Sequence, residues 1–305
     1  MTKIDFNRAL TFTYGEVSEL SPLVRRVIAP NPSPFTFHGT GTYIVGRGKV
    51  AIIDPGPDIS EHVAALLTAV ADETVTHILI THTHRDHSPA ARALHDATGA
   101  PTYGFGPHGS GRPEAGGDVE EGADHDFMPD VSVRSGVAIA GLNWTFEAVH
   151  TPGHTSNHIC YALKEEQALF PGDHVMGWST TVISPPDGDM QAYMQSLRLC
   201  VERAATGDRI YYPTHGAPIT NPESYVTRLI AHREDRERQI TACLADGIET
   251  IPAMVKRMYT EVPRELHPAA QRSVLAHIIH MVETRRATCD GVPSITSIYS
   301  AAGRA

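Results

Sequence analysis

The sequence lacks the features that mark secreted and membrane-spanning proteins. It has four cysteines in 305 residues, widely spaced and without a Cys-x-x-Cys motif, which favours buried thiols in a reducing compartment over a disulfide framework. Residues 1–8 contain no apolar signal core, and no apolar run approaches the roughly 20 residues of a membrane-spanning helix. We therefore expect a cytoplasmic protein that has no membrane partner.

Positive charge is scarce as well. The chain has 25 lysines and arginines against 35 aspartates and glutamates, and its formal net charge is −10. This balance argues against tight, non-specific binding of nucleic acid through a broad basic surface. A nucleic-acid substrate would need a local cationic groove, for which Arg25, Arg26 and the arginines of 233–238 are candidates. No Ser-His-Asp or Cys-His arrangement stands out either.

Histidine, in contrast, is concentrated in one segment. Three imidazoles and a carboxylate lie within six residues, directly after the apolar run 78–80: His82, His84, Asp86 and His87. Because side chains alternate along an extended chain, the first two imidazoles can point the same way. Imidazole nitrogen and carboxylate oxygen suit zinc, iron or manganese. A solvated loop that happens to contain histidines is the alternative, and the density of ligand-type side chains disfavours it.

Three more ligand-type residues lie beside glycine at the ends of apolar segments. They are His154, Asp173 and His215. Proline and glycine end strands and allow tight turns, which present side chains from a rigid sheet edge. A single histidine in a turn is more often structural. Together with the first cluster, however, these residues complete a set of ligands for two metals.

In the order of these motifs, residues 24–220 resemble the metallo-β-lactamase superfamily. The resemblance implies two metal sites, one held by His82, His84 and His154 and one held by Asp86, His87 and His215. Asp173 resembles the carboxylate that bridges both metals. Asp54 resembles a residue that fixes the histidine loop without binding a metal itself. The alternative interpretation is that Asp54 only forms a turn before Pro55.

The predicted cofactor is a pair of zinc ions, with iron or manganese as alternatives. Two dications about 3.5–4 Å apart repel each other, so a shared carboxylate and a shared hydroxide are needed between them. A metal-bound water has its pKa lowered towards roughly 7, which gives a hydroxide nucleophile at neutral pH. We therefore predict a hydrolase that uses a bridging hydroxide, with Asp86 and Asp173 as its catalytic carboxylates.

The periodicity of the chain before Pro222 is that of an α/β protein. Strands are predicted over 42–45, 50–53, 75–80, 137–149 and 158–163, and helices over 59–71 and 191–205. The first two strands form a hairpin. Another helix is predicted with Ser88 as its N-cap and Gly99 at its end. The stretch 104–130, rich in glycine and acidic residues, predicts a long loop. With the resemblance, these elements imply an αββα sandwich of two mixed sheets with helices outside.

From Pro222 the pattern becomes helical, with helices predicted over 225–244, 251–259 and 269–282. Alternating charges over 233–238 are typical of a solvated helix face. We therefore expect a catalytic domain over 1–221 and a helical domain over 222–305.

The C-terminal segment resembles the winged-helix-like tail of one subgroup of the superfamily, a subgroup that includes single-strand RNA endonucleases. The phrases that carry this closer match lie over 231–240, over 273–277 and, near the N-terminus, over 31–40.

Four other histidines have alternative interpretations. His174 is predicted to be a packed or turn histidine, with a position behind the ligands as the alternative. The resemblance places His38 at the mouth of the site, where packing of its neighbouring phenylalanines is favoured over stacking on a base. His277 and His280 lie three residues apart on a predicted helix, and their apolar neighbours favour packing or an interface over metal binding.

The preferred substrate is a phosphodiester such as single-stranded RNA. The first alternative is a small-molecule thioester, as in glyoxalase II, although a counterpart of the basic glutathione-binding tail of that family is not evident. A β-lactam or lactone hydrolase comes next, followed by a non-catalytic binding or redox protein on the same scaffold. A homodimer is a further expectation. Fold resemblance alone does not assign substrate or assembly, so these alternatives stay open.

Overall fold

The computed structural model describes residues 4–111 and 122–303, and within them two β-sheets lie face to face between helices. The first sheet has seven strands, β1 to β7 in spatial order: Ser18–Glu19, Val24–Ile28, Gly41–Val45, Lys49–Ile53, Thr74–Leu79, Thr102–Gly104 and Val131–Ser132. The second has five strands, β8 to β12: Ala138–Ala140, Thr145–His150, Ile159–Leu163, Ala168–Phe170 and Ile210–Tyr211. Both sheets are mixed, and the predicted αββα sandwich is confirmed.

Large apolar side chains fill the space between the two sheets. They include Tyr43, Trp144, Phe146, Tyr161 and Phe170, all fully buried. Two helices cover the outer face of the first sheet, α1 (Ser60–Ala69) and α2 (Ala90–Thr98), and the helix α3 (Met190–Thr206) covers the second. Burial of apolar surface on both faces explains why β4, after its first residue, and β10 form continuous apolar runs rather than alternating patterns.

The predicted hairpin is confirmed as the antiparallel pair β3 and β4, while β4 and β5 are parallel and joined through α1. The histidine segment therefore leaves the carboxyl end of β5, at the edge where open α/β sheets place their ligands. Gly99 ends α2 in the left-handed conformation, as predicted. Ser88 is not the N-cap of that helix, because its hydroxyl donates to His84 O and to the Asp124 carboxylate instead.

The C-terminal region contains three helices and a small sheet: α4 (Pro222–Ala245), α5 (Ile251–Met258), α6 (His267–Glu283), β13 (Ala287–Cys289) and β14 (Tyr299–Ala301). A short 3-10 helix, Arg264–Leu266, precedes α6. Val226 and Leu229 of α4 belong to the same core as α3, whereas Ile240 and the following helices form a separate core. The predicted boundary at 221 thus coincides with the start of α4, but the change of core occurs in the middle of that helix.

Part of the predicted loop 104–130 lies outside the described residues, namely 112–121. Its described ends flank the histidine segment, where Gly122 O accepts from Arg85 N and Thr83 O accepts from Asp124 N. Among the residues that the structure describes, no helix combines the length and apolar character needed to cross a membrane.

Candidate metal centre

The structure brings together three of the predicted ligands, His82, His84 and His154, at the carboxyl end of β5. Their ligating nitrogens lie within 4.8 Å of one another, and all three side chains are buried. His84 Nδ1 is 3.0 Å from His82 Nε2 and 3.1 Å from His154 Nε2. Three imidazole nitrogens that converge in this way match one nitrogen-rich metal site.

The other four predicted ligands, Asp86, His87, Asp173 and His215, form a second group within the same 4.8 Å limit. His215 Nε2 is 3.1 Å from Asp86 Oδ2 and 3.4 Å from Asp173 Oδ1. The other oxygen of Asp173, Oδ2, lies 3.9 Å from His154 Nε2 in the first group. Asp173 therefore faces both groups with different oxygens, which is the placement that a bridging carboxylate requires.

The outer nitrogens of three of these histidines are held by acceptors behind the site. His154 Nδ1 donates to Val182 O at 2.6 Å, and His215 Nδ1 donates to Gly39 O at 3.1 Å. His87 Nδ1 lies 2.9 Å from Asp54 Oδ2. With the proton on Nδ1, each ring presents the Nε2 lone pair inward, and the hydrogen bond fixes its orientation.

Asp54 holds the histidine segment in place through both of its carboxylate oxygens. Oδ1 accepts from Thr81 N at 2.8 Å, and Oδ2 accepts from the hydroxyls of Thr81 at 2.7 Å and Thr214 at 3.1 Å as well as from His87. Asp54 also has a positive φ of 48°, which aspartate tolerates better than most residues. Both sequence interpretations of Asp54 therefore describe part of its geometry, since it turns the chain and supports the ligands.

The residues present fit a pair of divalent metals. His87 Nε2 and Asp173 Oδ1 are buried atoms with no hydrogen-bond partner among the residues that the structure describes. Unpaired buried polar atoms are costly, and a cation between them would remove that cost. A donor set of imidazole nitrogens and carboxylate oxygens suits zinc, iron or manganese.

The electrostatics of the metal-free site keep His82 neutral and both carboxylates ionised. Against the opposing effect of burial, these carboxylates raise the pKa of His87 and of His215, so a metal would displace a proton from each of these two rings. Burial, together with the neighbouring histidines, holds the pKa of His82 well below its usual value, so this ring is neutral. Although burial opposes ionisation, His215 and His87 lower the pKa of Asp173 to about 2. His87 and His215 likewise hold the pKa of Asp86 well below the ordinary value. Neutral imidazole and ionised carboxylate are the forms that bind metal.

Sequence reasoning missed the groups that support the ligands from behind. Thr81 and Thr214 each donate to Asp54, and each directly precedes a ligand, His82 or His215. The repeated Thr-His pair is a signal in the sequence that could have indicated them. The carbonyls of Gly39 and Val182 have no such signal, because any residue type supplies a backbone acceptor.

The arginines expected to form a cationic groove lie elsewhere, and this prediction is wrong for four of them. Arg25 is buried against Glu73, and Arg26 is buried with its guanidinium donating to Gly216 O. Arg233 and Arg236 are also buried, Arg233 with its guanidinium donating to Thr181 O and Arg236 with its guanidinium donating to Met258 O. Of the five arginines named, Arg238 alone is exposed. The other four lie on strands or helix faces that pack against the rest of the protein, so they are buried together with their apolar neighbours.

Two profiles of known families match the chain. The metallo-beta-lactamase superfamily matches residues 36–215, and the beta-lactamase associated winged helix domain matches residues 250–291. The first match covers more than half of the chain, so the protein belongs to the metallo-β-lactamase superfamily. It is a metal-dependent hydrolase, and the superfamily binds divalent metals in a binuclear site. The two His/Asp groups are the potential metal-binding cluster of this chain.

Similar proteins extend the likeness over most of the chain. A beta-lactamase-like protein 2 homolog from Caenorhabditis elegans is 33% identical over 267 residues, which cover 85% of this chain and 83% of the relative. An atrochrysone carboxyl ACP thioesterase from Aspergillus fumigatus is 33% identical over 269 residues, 82% of this chain and 78% of the relative. The crystal structure of a beta-lactamase domain protein from Burkholderia ambifaria covers 98% of this chain and 97% of its own, with a TM-score of 0.75 at 20% identity, a likeness in fold.

Proposed function

We propose that the protein hydrolyses thioesters whose acyl group lies against aromatic rings beside the metal centre. The observation that carries this proposal is the kind of side chain found next to the ligand His215. Aromatic rings lie there, whereas four of the five arginines that could bind a phosphodiester backbone are buried. Aromatic surface favours apolar and planar groups, and a nucleic-acid backbone requires exposed positive charge.

Two loops that contact His215 carry the aromatic rings. Gly39 O accepts from the ring of His215, and two residues earlier lies Phe37. Gly177 N donates to His215 O at 2.9 Å, and the next residue is Trp178. The rings of Phe37 and Trp178 stack with centroids 4.8 Å apart and planes 10° apart. Both rings are partly exposed, so they offer apolar surface next to the ligands.

His38 extends this aromatic group towards the N-terminal segment. Its ring lies 3.8 Å from that of Phe37 and 5.4 Å from that of Phe12, and its carbonyl accepts from the Tyr14 hydroxyl at 2.8 Å. His38 thus packs among aromatic rings of the protein itself, whereas its neighbour Phe35 is 51% exposed and not packed as expected. An acyl chain or ring could add to this stack without displacing a charged group.

The chemistry of thioester cleavage suits these residues. When bound, the metal ions polarise a substrate carbonyl and lower the pKa of water. The chain's own contribution is to hold the ligands rigidly through Asp54 and Val182 and to present the ionised, partly exposed Asp86 as a hydrogen-bond acceptor for water. A thiolate has a conjugate acid of pKa about 8–9 and can leave without a proton donor. One relative of similar length is a thioesterase by name, which adds support.

The experiment is a hydrolysis panel with the zinc-loaded protein. It contains acetyl, decanoyl and benzoyl thioesters of N-acetylcysteamine, lactoylglutathione, a chromogenic β-lactam and single-stranded RNA. We expect turnover of thioesters, with a higher kcat/KM for decanoyl and benzoyl than for acetyl. Phe37→Ala should raise KM for the benzoyl ester and leave metal content unchanged, whereas Phe35→Ala, at an exposed ring, serves as the matched control.

RNA cleavage that falls steeply with salt, together with no thioester turnover, would overturn the proposal. That result would restore a phosphodiester substrate, since only phosphate contacts give a steep salt dependence. Preferential turnover of the lactam would likewise count against it.

A further inference from the structure

We propose that Arg233, on α4 of the C-terminal region, is a positioning residue for the metal ligands. It lies outside both ligand groups, yet its guanidinium is joined to the loop that follows the bridging carboxylate Asp173. Through that loop, a helix that supplies no metal ligand fixes the geometry of the centre.

The contacts of Arg233 are directed at residues 174–193 of the catalytic domain. The side chain is 3% exposed, and its Nη2 donates a short hydrogen bond to Thr181 O. Its guanidinium also lies over the ring of Tyr193, 5.3 Å from the centroid. The hydroxyl of Tyr193 in turn donates to His174 O at 3.1 Å. One guanidinium therefore holds two points that converge on the backbone after Asp173.

Thr181 connects this anchor to ligands from both groups. Its hydroxyl donates to Asp173 O at 2.7 Å and lies 3.1 Å from His174 O. The next residue along the chain, Val182, supplies the carbonyl that accepts from His154 Nδ1. Displacement of Thr181 would therefore act on the bridging carboxylate and on a ligand of the first group at the same time.

The cost of burying Arg233 argues that its place is specific. A guanidinium without a carboxylate partner is expensive to bury, and among residues 4–111 and 122–303 the Nε atom of Arg233 has no hydrogen-bond partner. Apolar side chains of similar size often replace buried charges with no loss of stability. A fork of fixed donors, however, can hold a carbonyl in one position, which a flexible apolar chain cannot.

Arg236, one turn further along α4, provides a matched control. It is also buried, at 8% exposure, and its guanidinium also lies over a tyrosine ring, 4.1 Å from the centroid of Tyr259. Its hydrogen bonds go to Gln239 Oε1 and Met258 O, both within the C-terminal region. The two arginines thus share burial, helix and aromatic contact, and differ in whether they reach the loop of Thr181.

The test compares Arg233→Met and Arg236→Met by titrating the metal-free proteins with Co²⁺ and recording affinity and visible absorption. We expect Arg233→Met to weaken Co²⁺ binding about 10-fold, the lower end of losses for groups behind a ligand, and to change the spectrum. Arg236→Met should bind Co²⁺ within about 2-fold of the wild type. Urea unfolding of both metal-free variants measures the purely structural effect of each change.

Wild-type affinity and spectrum in Arg233→Met would overturn the proposal, as would equal weakening in both variants. If Arg233→Met does not fold, Arg233→Lys keeps the charge but loses the planar fork, and we expect an intermediate loss of affinity. Unchanged Co²⁺ binding in that variant would also refute the positioning role. No substrate enters these measurements, so their outcome is independent of the thioester proposal.

Discussion

Two regions of the molecule bury histidines together with carboxylates, and they differ in what balances the negative charge. At the metal centre, the ion pairs that Asp86 and Asp173 make among the described residues are all with histidines. In the C-terminal region, Glu237 contacts two histidines and an arginine. Similar residue types thus build two kinds of cluster.

In the C-terminal cluster, the cation that balances Glu237 is an arginine of the protein, Arg286. Glu237 Oε1 accepts from His280 at 2.8 Å and lies 3.4 Å from His277, while Oε2 accepts a short hydrogen bond from Arg286. Although burial opposes ionisation, these hydrogen bonds hold the pKa of Glu237 well below its ordinary value. This geometry agrees with the expectation that His277 and His280 serve packing rather than metal binding, because both rings face the carboxylate of Glu237.

At the metal centre, by comparison, Asp86 and Asp173 have no arginine partner among the described residues. Asp173 Oδ1 is buried and accepts no hydrogen bond from the described residues, whereas both oxygens of Glu237 accept one. The presence of histidine and carboxylate in a buried cluster therefore does not identify a metal site. The distinguishing feature is whether an arginine supplies the cation, as Arg286 does for Glu237, or whether lone pairs converge without one.

The largest expected effect comes from removing the charge that lies between the two metal groups. Asp173→Asn keeps the shape of the side chain but cannot supply negative charge to two cations. We expect at least a roughly 100- to 1000-fold loss of kcat/KM on the best substrate of the panel, with a lower metal content. His174→Ala, which removes no ligand, should cost no more than about 10- to 100-fold. Equal losses at equal metal content would contradict this ranking.

The second prediction concerns the cluster around Glu237 in the C-terminal region. Glu237→Gln leaves Arg286 without its carboxylate inside a largely buried contact, and removal of one partner of a buried pair is strongly destabilising. Because Arg286 is 43% exposed and water can reach it, we expect a loss of about 2–3 kcal/mol rather than the full penalty. Urea unfolding measures the loss, and Co²⁺ affinity should stay unchanged. A fall in metal affinity without a fall in stability would break the separation of the two clusters.

The C-terminal arginines show where sequence reasoning reached its limit. The residues of the two candidate metal groups were predictable because each lies in a motif with a fixed residue type, and the structure gathers the seven into a group of three and a group of four. The alternating charges over 233–238 predicted a solvated face, yet Arg233, Arg236 and Glu237 are buried. That face of α4 packs against α3 and α6. Because these partners are distant in sequence, the local pattern of residues does not show which face of the helix is buried.

The third prediction concerns acid. Burial lowers the pKa of His277 to about 4, against an ordinary value of 6.5, despite the nearby Glu237. Between these values the unfolded chain binds more protons than the folded one, so stability falls as the pH drops below about 6.5. We expect His277→Gln to lose about 1–2 kcal/mol less than the wild type between pH 7 and pH 5, at up to about 1.4 kcal/mol per pH unit. Parallel stability curves for the two proteins would show that His277 does not titrate in this window.

The smallest effect is expected at the exposed end of the same charged stretch. Arg238 pairs with Asp235 one turn away, and its side chain is 64% exposed. Exposed pairs at this spacing contribute about 0.3–0.5 kcal/mol, because water screens the attraction and ordering two long side chains costs entropy. Arg238→Ala should therefore shift the free energy of unfolding by less than about 0.5 kcal/mol and leave Co²⁺ affinity unchanged. Parallel urea titrations of Arg238→Ala and Glu237→Gln make the comparison within one helix. A loss of stability at Arg238 as large as that at Glu237 would mean that burial does not separate the structural charges of α4 from its solvated ones.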